Sequence, residues 1–376
     1  MSQEQRPNPA RTQTLWRPPY QVALVVAGIV LGAVPGLPRV HLAPGLLLGL
    51  FIPPLVFHAA LTQDRAQLRG VIRPVALLAV LGVVLSLAMI GVGAHALVGL
   101  GWTSALLLGA VLSPTDPIAV VAVLRRLRPP GRLRALLEGE SLFNDAIGAA
   151  AFGALLAALG GHAPGPLDLL LTFGRQSLIA VIAGLLLGAA VRLLLSRLGS
   201  GLAGLVLLIL GAYLAYAIAA RAGGSGVMAD VVAGLVAGGS RALEPALDAL
   251  WETPLRGLNS ALFLLAGWGL PAALVLGQAV PILALFAVLQ VARGLLIPLV
   301  VRGQGRWTAP LMVWGGLRGA LSIALALAAG SAAGVDPRLP AIGYGVVALS
   351  LLLQGLTLGP LWSRLGPRDE AAATSA

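Results

Sequence analysis

The sequence predicts an all-α membrane protein that crosses the bilayer about twelve times. Of its 376 residues, 58% are hydrophobic and only 10% are charged, and the mean hydropathy is +0.93. A soluble domain would carry about 25% charged residues. No polar stretch between the two termini is long enough to fold by itself, so one membrane domain is expected to fill nearly the whole chain. The absence of cysteine excludes disulfides and thiolate metal sites.

Windows of about 20 apolar residues, the length that crosses the hydrocarbon core as a helix, define the predicted spans. They lie at residues 20–38, 43–62, 73–99, 103–124, 136–159, 170–195, 201–220, 224–240, 257–276, 279–301, 308–330 and 339–363. The first span is interpreted as retained rather than as a signal peptide, because no small-residue cleavage site leads from it into a soluble domain.

The placement of arginine predicts the orientation of the spans. All 25 basic residues are arginine, and a cytoplasmic N-terminus puts nineteen of them in cytoplasmic loops and tails. Only Arg39, Arg221 and Arg338 then lie outside, which satisfies the positive-inside rule. Both termini are therefore predicted to be cytoplasmic. Loop arginines beside anionic lipid headgroups account for the net charge of +11, so no nucleic-acid partner is expected.

Two of the spans are predicted to be interrupted helices. Residues 113–117 read Ser-Pro-Thr-Asp-Pro, and these two prolines remove helical donors in the middle of the fourth span. Residues 315–320 read Gly-Gly-Leu-Arg-Gly-Ala, and the glycines permit the eleventh span to unwind. Non-helical backbone at membrane depth survives only inside protein or beside a water-filled cavity.

The two interruptions occupy matching places in a predicted inverted repeat. Spans one to five match spans eight to twelve, and the members of each matched pair run in opposite directions through the membrane. Interrupted helices in corresponding positions of two halves are typical of a transporter's binding site.

Asp145 is the strongest candidate for a functional residue, because it lies in the middle of a long apolar run where a charge is costly. Ser141 shares its helical stripe, and Glu140 and Asn144 share the adjacent stripe, so all four can face one site. Na⁺ prefers oxygen ligands, which the carbonyls around Thr115, the Ser141 hydroxyl and the Asp145 carboxylate supply. Burial favours protonated Asp145 and a bound cation favours its carboxylate, so a proton and a cation would compete for it.

Other polar residues in the spans have structural interpretations. Arg318 is predicted to form a buried structural ion pair with Glu140. Asp116 is expected where helix ends meet, with its charge stabilised by helix N-termini. Asn144 is either part of the site or a cap for a broken helix, and Ser141 is either a ligand or a packing residue.

Three motifs together resemble those of the bacterial sodium/proton exchangers of the first monovalent cation:proton antiporter family. They are Ser-Pro-Thr-Asp-Pro-Ile at residues 113–118, Gly-Glu-Ser-Leu-Phe-Asn-Asp at 139–145 and Gly-Gly-Leu-Arg-Gly-Ala at 315–320. The similarity extends over about residues 16–364. The resemblance implies an antiporter fold with two crossing interrupted helices, and a homodimer of thirteen-helix protomers.

The resemblance also implies a division of the chain. A core bundle at about residues 73–159 and 279–363 would move against an interface bundle formed by the rest of residues 20–364. Residues 1–19 and 365–376 would be cytoplasmic tails.

For function, the resemblance implies secondary active exchange of Na⁺ for H⁺ by alternating access in the plasma (inner) membrane, serving pH and sodium homeostasis. Li⁺ and K⁺ are alternative cations, and no cofactor is expected. Asp145 would bind the cation and the proton, with Ser141 and the Thr115 carbonyl as cation ligands and Asn144 and Asp116 in the polar centre. The related electrogenic group has Asp-Asp where this chain has Asn-Asp, which implies one proton per cation and electroneutral exchange.

Two departures from the family's pattern bear on these expectations. His58 stands where many bacterial members carry glutamate, and it is either a packing residue or a modulator that titrates near neutral pH. The family's first helix has no counterpart before residue 20, which bears on the stability of the dimer. Asp230 and Arg293 also lie in apolar runs, and both are interpreted as structural.

Two other function classes fit parts of the sequence. A gated cation channel could use the same interrupted helices, but its cation flux would not move protons stoichiometrically. An intramembrane hydrolase with Ser141 as nucleophile needs a histidine or lysine base. Lysine is absent, and none of the four histidines lies beside Ser141 in the sequence, so we expect a transporter without an enzymatic step.

Overall fold

The computed structural model describes residues 20–38, 43–116, 130–160, 165–198, 201–238, 245–269 and 272–365. The predicted tail 1–19, the C-terminal tail from residue 366 and the second half of the fourth span lie outside the described residues. Every element within these ranges is helical, so the predicted all-α class is confirmed.

The first half of the chain forms α1 (Tyr20–Ala33), α2 (Pro44–Leu61), α3 (Arg65–Val98), α4 (Trp102–Val111), α5 (Gly131–Ala157) and α6 (Pro166–Leu198). The second half forms α7 (Leu202–Arg221), α8 (Gly226–Ala237), α9 (Pro245–Gly269), α10 (Ala279–Val300), α11 (Gly305–Trp314), α12 (Ala320–Gly330) and α13 (Leu339–Leu365). Within the described ranges, six helices are long and apolar enough to cross a membrane: α2, α3, α6, α7, α10 and α13. Each predicted span contains a described helix, and the eleventh is divided between α11 and α12.

Local sequence signals set the ends of the long helix α3. The Asp64 carboxylate accepts hydrogen bonds from the backbone N–H groups of Ala66 and Gln67 at 2.9 and 3.1 Å, as an N-cap residue does. Gly99 ends the helix in the left-handed conformation, with φ of 73°, which a residue without a Cβ adopts without strain.

The helices pack in two groups that meet at α5. In one group α3 packs against α4, α5 and α10, and α13 packs against α10 and α12. In the other, α8 packs against α2, α6 and α7, and α9 packs along α1. Because α5 contacts members of both groups, a residue in the middle of α5 lies between them.

Loop contacts join matching ends of distant helices. At one end of the bundle Arg338, after α12, donates to the Val98 carbonyl at 3.3 Å, and the Asp336 N–H donates to the Ser104 hydroxyl at 3.0 Å. At another point Arg132, at the start of α5, donates to the Gln304 side chain before α11 at 3.2 Å. These bonds connect the outer ends of the helices that contain the interruptions to neighbouring segments of the chain.

Helices α1 and α9 approach each other closely through glycine. A Cβ on Gly28 would lie 2.2 Å from the Leu264 carbonyl oxygen, and a Cβ on Gly267 would lie 2.3 Å from the Val25 carbonyl oxygen. Small residues at such crossings let transmembrane helices gain backbone contact.

We expect Gly267→Ala to lower the free energy of unfolding by about 1–3 kcal/mol, because the new methyl group must push α1 away from α9. Gly257 on the same helix is the matched control, since a Cβ there meets nothing within 4 Å. Gly257→Ala should be neutral or slightly stabilising. Melting temperatures in detergent measure both, and equal values would contradict the close crossing.

Candidate functional site

The backbones of the two interrupted segments are bonded to each other. The Asp116 N–H donates to the Leu317 carbonyl at 2.7 Å. The guanidinium of Arg318, which is 1% exposed, donates to the carbonyls of Ser113 and Pro114 at 2.7 and 2.8 Å. Since α4 ends at Val111, these carbonyls have lost the partners that a continuing helix would supply, and Arg318 replaces them.

A second buried arginine caps the other interrupted helix. From α10, Arg293 donates to the Met312 and Val313 carbonyls at the end of α11, at 2.7 and 3.2 Å. It also forms an ion pair with Glu140, with 2.8 Å between nitrogen and oxygen and both side chains at most 7% exposed. Each interrupted helix therefore ends against an arginine. These hydrogen bonds hold the two unwound segments in fixed positions relative to their neighbours.

The predicted ion pair of Glu140 with Arg318 is wrong. Glu140 lies on the side of α5 that faces α10, where Arg293 reaches it, whereas Arg318 is engaged by the carbonyls at the end of α4. Gly316 makes room for this arrangement, because a Cβ there would lie 2.2 Å from the guanidinium carbon of Arg293. Arg293, interpreted from the sequence only as structural, is thus the partner of Glu140.

Polar residues of α13 bind the unwound backbone between α11 and α12. The Arg318 N–H donates to the Ser350 hydroxyl at 3.0 Å, and Gln354 donates to the Trp314 carbonyl at 2.9 Å. The Ser350 hydroxyl in turn donates to the Gln354 side-chain oxygen. Sequence reasoning missed this pair, although a serine and a glutamine four residues apart in an apolar span are a detectable signal.

Ser141 and Thr115 are bonded to each other, and Thr115 lines with Asp145 the cavity described next, whereas Ser141 is not part of its lining. The Ser141 hydroxyl donates to the Thr115 carbonyl, and the Thr115 hydroxyl donates to the Ser141 hydroxyl at 3.0 Å. Asp145, one turn further along α5, is 8% exposed, and one of its carboxyl oxygens has no hydrogen-bond partner within the described part of the chain.

Asp145 lines a cavity of about 40 Å³. One water molecule requires roughly 10–15 Å³, so a water or a dehydrated monovalent cation fits. The polar part of the lining comes from Thr115, Asp116, Asp145, Asn259 and Ser322. A stripe of α2 supplies an apolar wall.

Asp116 lies against the start of α12. A Cβ on Gly319 would come within 2.3 Å of an Asp116 carboxyl oxygen, so the glycine permits this contact. The N-terminus of a helix carries partial positive charge, which stabilises a carboxylate placed there. Asp230 is fully buried on α8 and lines neither this cavity nor the smaller one described next.

Two predicted residues lie away from Asp145. Asn144 faces a second cavity of about 10 Å³ beside Glu140 and Arg293, and its amide donates to Glu140 at 3.4 Å. The two stripes of α5 therefore do not face one site. His58 is half-buried and stacks on Trp251, with 5.7 Å between ring centroids and 25° between planes. It is not among the residues that line the Asp145 cavity.

Comparison with known proteins identifies the family. The profile of the family described as "Sodium/hydrogen exchanger, transmembrane" matches residues 13–364. This chain belongs to that family. The predicted resemblance is confirmed, and the chain is an integral membrane protein of a transporter family.

Similar exchangers include two bacterial proteins. The Na⁺/H⁺ antiporter ApNhaP of Aphanothece halophytica is 36% identical over 366 residues, which cover 93% of this chain and 70% of the relative. The Na⁺/H⁺ antiporter NhaP of Pseudomonas aeruginosa is 35% identical over 346 residues, which cover 85% and 81%.

A solved exchanger structure has the same fold. The sodium proton antiporter MjNhaP1 of Methanocaldococcus jannaschii superimposes with a TM-score of 0.71 at 22% identity, over 92% of each chain. A second structure of the same protein gives a TM-score of 0.76 at 20% identity, over 96% of this chain and 95% of that one. The predicted sodium/proton antiporter fold is confirmed.

We expect a double-mutant cycle to separate the two arginines of this exchanger. Glu140→Gln and Arg293→Ala should each destabilise the protein by about 3–5 kcal/mol, because each leaves a buried charge without its partner. The double variant should lose much less than the sum. Arg318→Ala combined with Glu140→Gln should be closer to additive, and thermal unfolding in detergent measures both cycles. Strong coupling only in the Arg318 cycle would restore the sequence-based pairing.

Proposed function

We propose that this exchanger binds Na⁺ and H⁺ in alternation at Asp145 and moves them in opposite directions across the membrane by alternating access. The observation that carries the proposal is the position of Asp145, which lines an ion-sized cavity together with Thr115, the residue whose carbonyl accepts a hydrogen bond from Ser141. Two similar proteins carry the name Na⁺/H⁺ antiporter, which supports the same pair of ions here.

The chemistry of the cavity suits competition between the two ions. Protonation neutralises Asp145 in a site of low polarity, and a bound Na⁺ would neutralise it equally well. The Thr115 carbonyl and the Ser141 hydroxyl would supply neutral oxygen ligands to the cation. Li⁺ and K⁺ prefer the same ligand type, so both are alternative substrates.

The proposal extends to the location and the assembly of the protein. We propose the plasma (inner) membrane as the location, with both termini cytoplasmic and two protomers in a homodimer. The bonds of Arg338 to Val98 and of Arg132 to Gln304 support the predicted pairing of segments on one side of the membrane, and the arginine count supports the choice of the cytoplasmic side. We further propose that the core bundle, about residues 73–159 and 279–363, moves against the rest of residues 20–364.

Asp145→Asn should abolish Na⁺-driven proton flux in proteoliposomes, because the amide can neither release a proton nor neutralise a cation. Asp230→Asn is the matched control, since it changes another buried carboxyl group outside the cavity, and it should retain exchange. Gradients of Na⁺, Li⁺ and K⁺ applied in turn give the cation preference. Flux near the wild-type level in Asp145→Asn would remove this residue from the mechanism.

Exchange should be electroneutral, because the Asp145 carboxyl group alternately carries H⁺ or Na⁺, whereas the Asp116 carboxyl group is held against the N-terminus of α12 and His58 stacks on Trp251 outside the cavity. A net transfer of one charge would be worth about 2.3 kcal/mol per 100 mV. Rates of Na⁺-driven exchange should therefore agree when proteoliposomes are clamped with K⁺ and valinomycin at zero and at about −100 mV. A several-fold change in rate would instead indicate a second titrating group, and Asp116, the other carboxyl group in the cavity lining, would be tested before His58.

A further inference from the structure

Two residues in the lining of the Asp145 cavity carry oxygens that have no place in the ligand set derived from the sequence. They are Asn259 on α9, with its amide oxygen, and Ser322 on α12, with its hydroxyl oxygen. Asn259 is 2% exposed and Ser322 is 0% exposed. Neither oxygen has a hydrogen-bond partner within the described part of the chain.

Unpartnered buried oxygens are costly, which makes this pair informative. Leaving one buried polar group unsatisfied costs about 1–3 kcal/mol, and native proteins contain few such groups. The two residues belong to different helices, yet both line the cavity that Asp145 also lines. A ligand in that cavity would satisfy both at once.

The orientation of the Asn259 amide is fixed from outside the cavity. Its nitrogen donates to the Tyr20 hydroxyl on α1 at 3.0 Å, so that its oxygen is left for the cavity. The crossing of α1 and α9 through Gly28 and Gly267 holds the two helices in contact. The amide is therefore positioned before any ion arrives.

We propose that Asn259 and Ser322 are further cation ligands, so that the transported ion is held between them and the oxygens of Asp145, Ser141 and Thr115. Amide and hydroxyl oxygens are the neutral ligands that hard monovalent cations accept. With one carboxylate and four neutral oxygens, the set compensates the charge of a monovalent cation and replaces much of its hydration shell. This inference rests on the proposed function, because it concerns the same cavity and ion.

The two ligands differ in the helices that carry them. Ser322 lies on α12, in the proposed core bundle with Asp145, whereas Asn259 lies on α9, in the proposed interface bundle. If these bundles move against each other, Ser322 stays with the ion through the cycle. Asn259 contacts the ion in the arrangement described here and loses that contact in the other.

The test is Na⁺ binding to the purified full-length protein in detergent, measured by titration calorimetry at fixed pH. Asn259→Ala and Ser322→Ala should each weaken Na⁺ binding about tenfold, the effect of removing one oxygen partner of a buried charge. Ser177→Ala and Gln290→Ala are matched controls, because each removes an unpartnered polar side chain outside the cavity, and both should bind Na⁺ like the wild type. Asn259→Asp keeps an oxygen in place and should bind at least as tightly as the wild type.

Transport measurements distinguish the role proposed for Ser322, which stays with the ion, from that proposed for Asn259, which contacts it in one arrangement only. In proteoliposomes of known orientation, Ser322→Ala should raise the apparent KM for Na⁺ from both sides, whereas Asn259→Ala should raise it from one side only. Wild-type affinity in both alanine variants, or weakened binding in Asn259→Asp as well, would overturn the inference. Such a result would leave the proposed function intact as long as Asp145→Asn loses Na⁺ binding, whereas unchanged binding in Asp145→Asn would overturn the proposed function itself.

Discussion

The carbonyl ends of the two interrupted helices are held by arginines, and the geometry of the site depends on these bonds. In a low-dielectric interior an unsatisfied carbonyl costs several kcal/mol, so a break in a transmembrane helix persists only where another group takes over its bonds. Arg318 does this for Ser113 and Pro114, and Arg293 does it for Met312 and Val313. The partial negative charge at a helix C-terminus also favours a cation there.

The same arrangement leaves Asp145, the proposed ion-binding residue, free of a competing salt bridge in the part of the chain that the structure describes. Arg293 and Arg318 are already engaged, since Glu140 neutralises Arg293 and the carbonyls of Ser113 and Pro114 bind Arg318. Among the described residues no ion pair joins Asp145 to an arginine. A permanent salt bridge would hold Asp145 as a carboxylate and would compete with Na⁺ for it. The structural charges thus stabilise the crossing without blocking the proposed ion-binding group.

Much of the fold could be predicted from the sequence, because composition, apolar run length and proline or glycine placement each have a direct physical meaning in a membrane. The helical spacing of Ser141 and Asp145 likewise puts both on one stripe of α5. The partner of Glu140 could not be predicted in this way. Helix periodicity shows which residues share a stripe of α5 but not which neighbouring helix that stripe faces.

Asn259 and Ser322 could not be predicted as ligands from the sequence for a different reason. Small polar residues are common in transmembrane helices, where they pack or bond locally, so their presence alone carries little information. What distinguishes these two is the lack of a partner for their oxygens, and that becomes visible only once the surrounding helices are in place. A buried polar group is informative through its unsatisfied bonds, which depend on tertiary structure.

The distribution of polar contacts around the cavity also favours movement of one helix group against the other. Asp145, Thr115 and Ser322 belong to the proposed core bundle and contribute polar groups to the cavity lining. The stripe of α2 that lines the cavity is apolar and consists of Ile52, Leu55, Val56 and Ala59. Apolar contacts are non-directional, so sliding along this wall exchanges one set of weak contacts for another and breaks no hydrogen bond. Among the described lining residues outside the core bundle, Asn259 alone offers a polar side chain. A contact between the ion and Asn259 is therefore the directional interaction that distinguishes one position of the bundles from the other, and its strength would set how firmly the loaded site is held there.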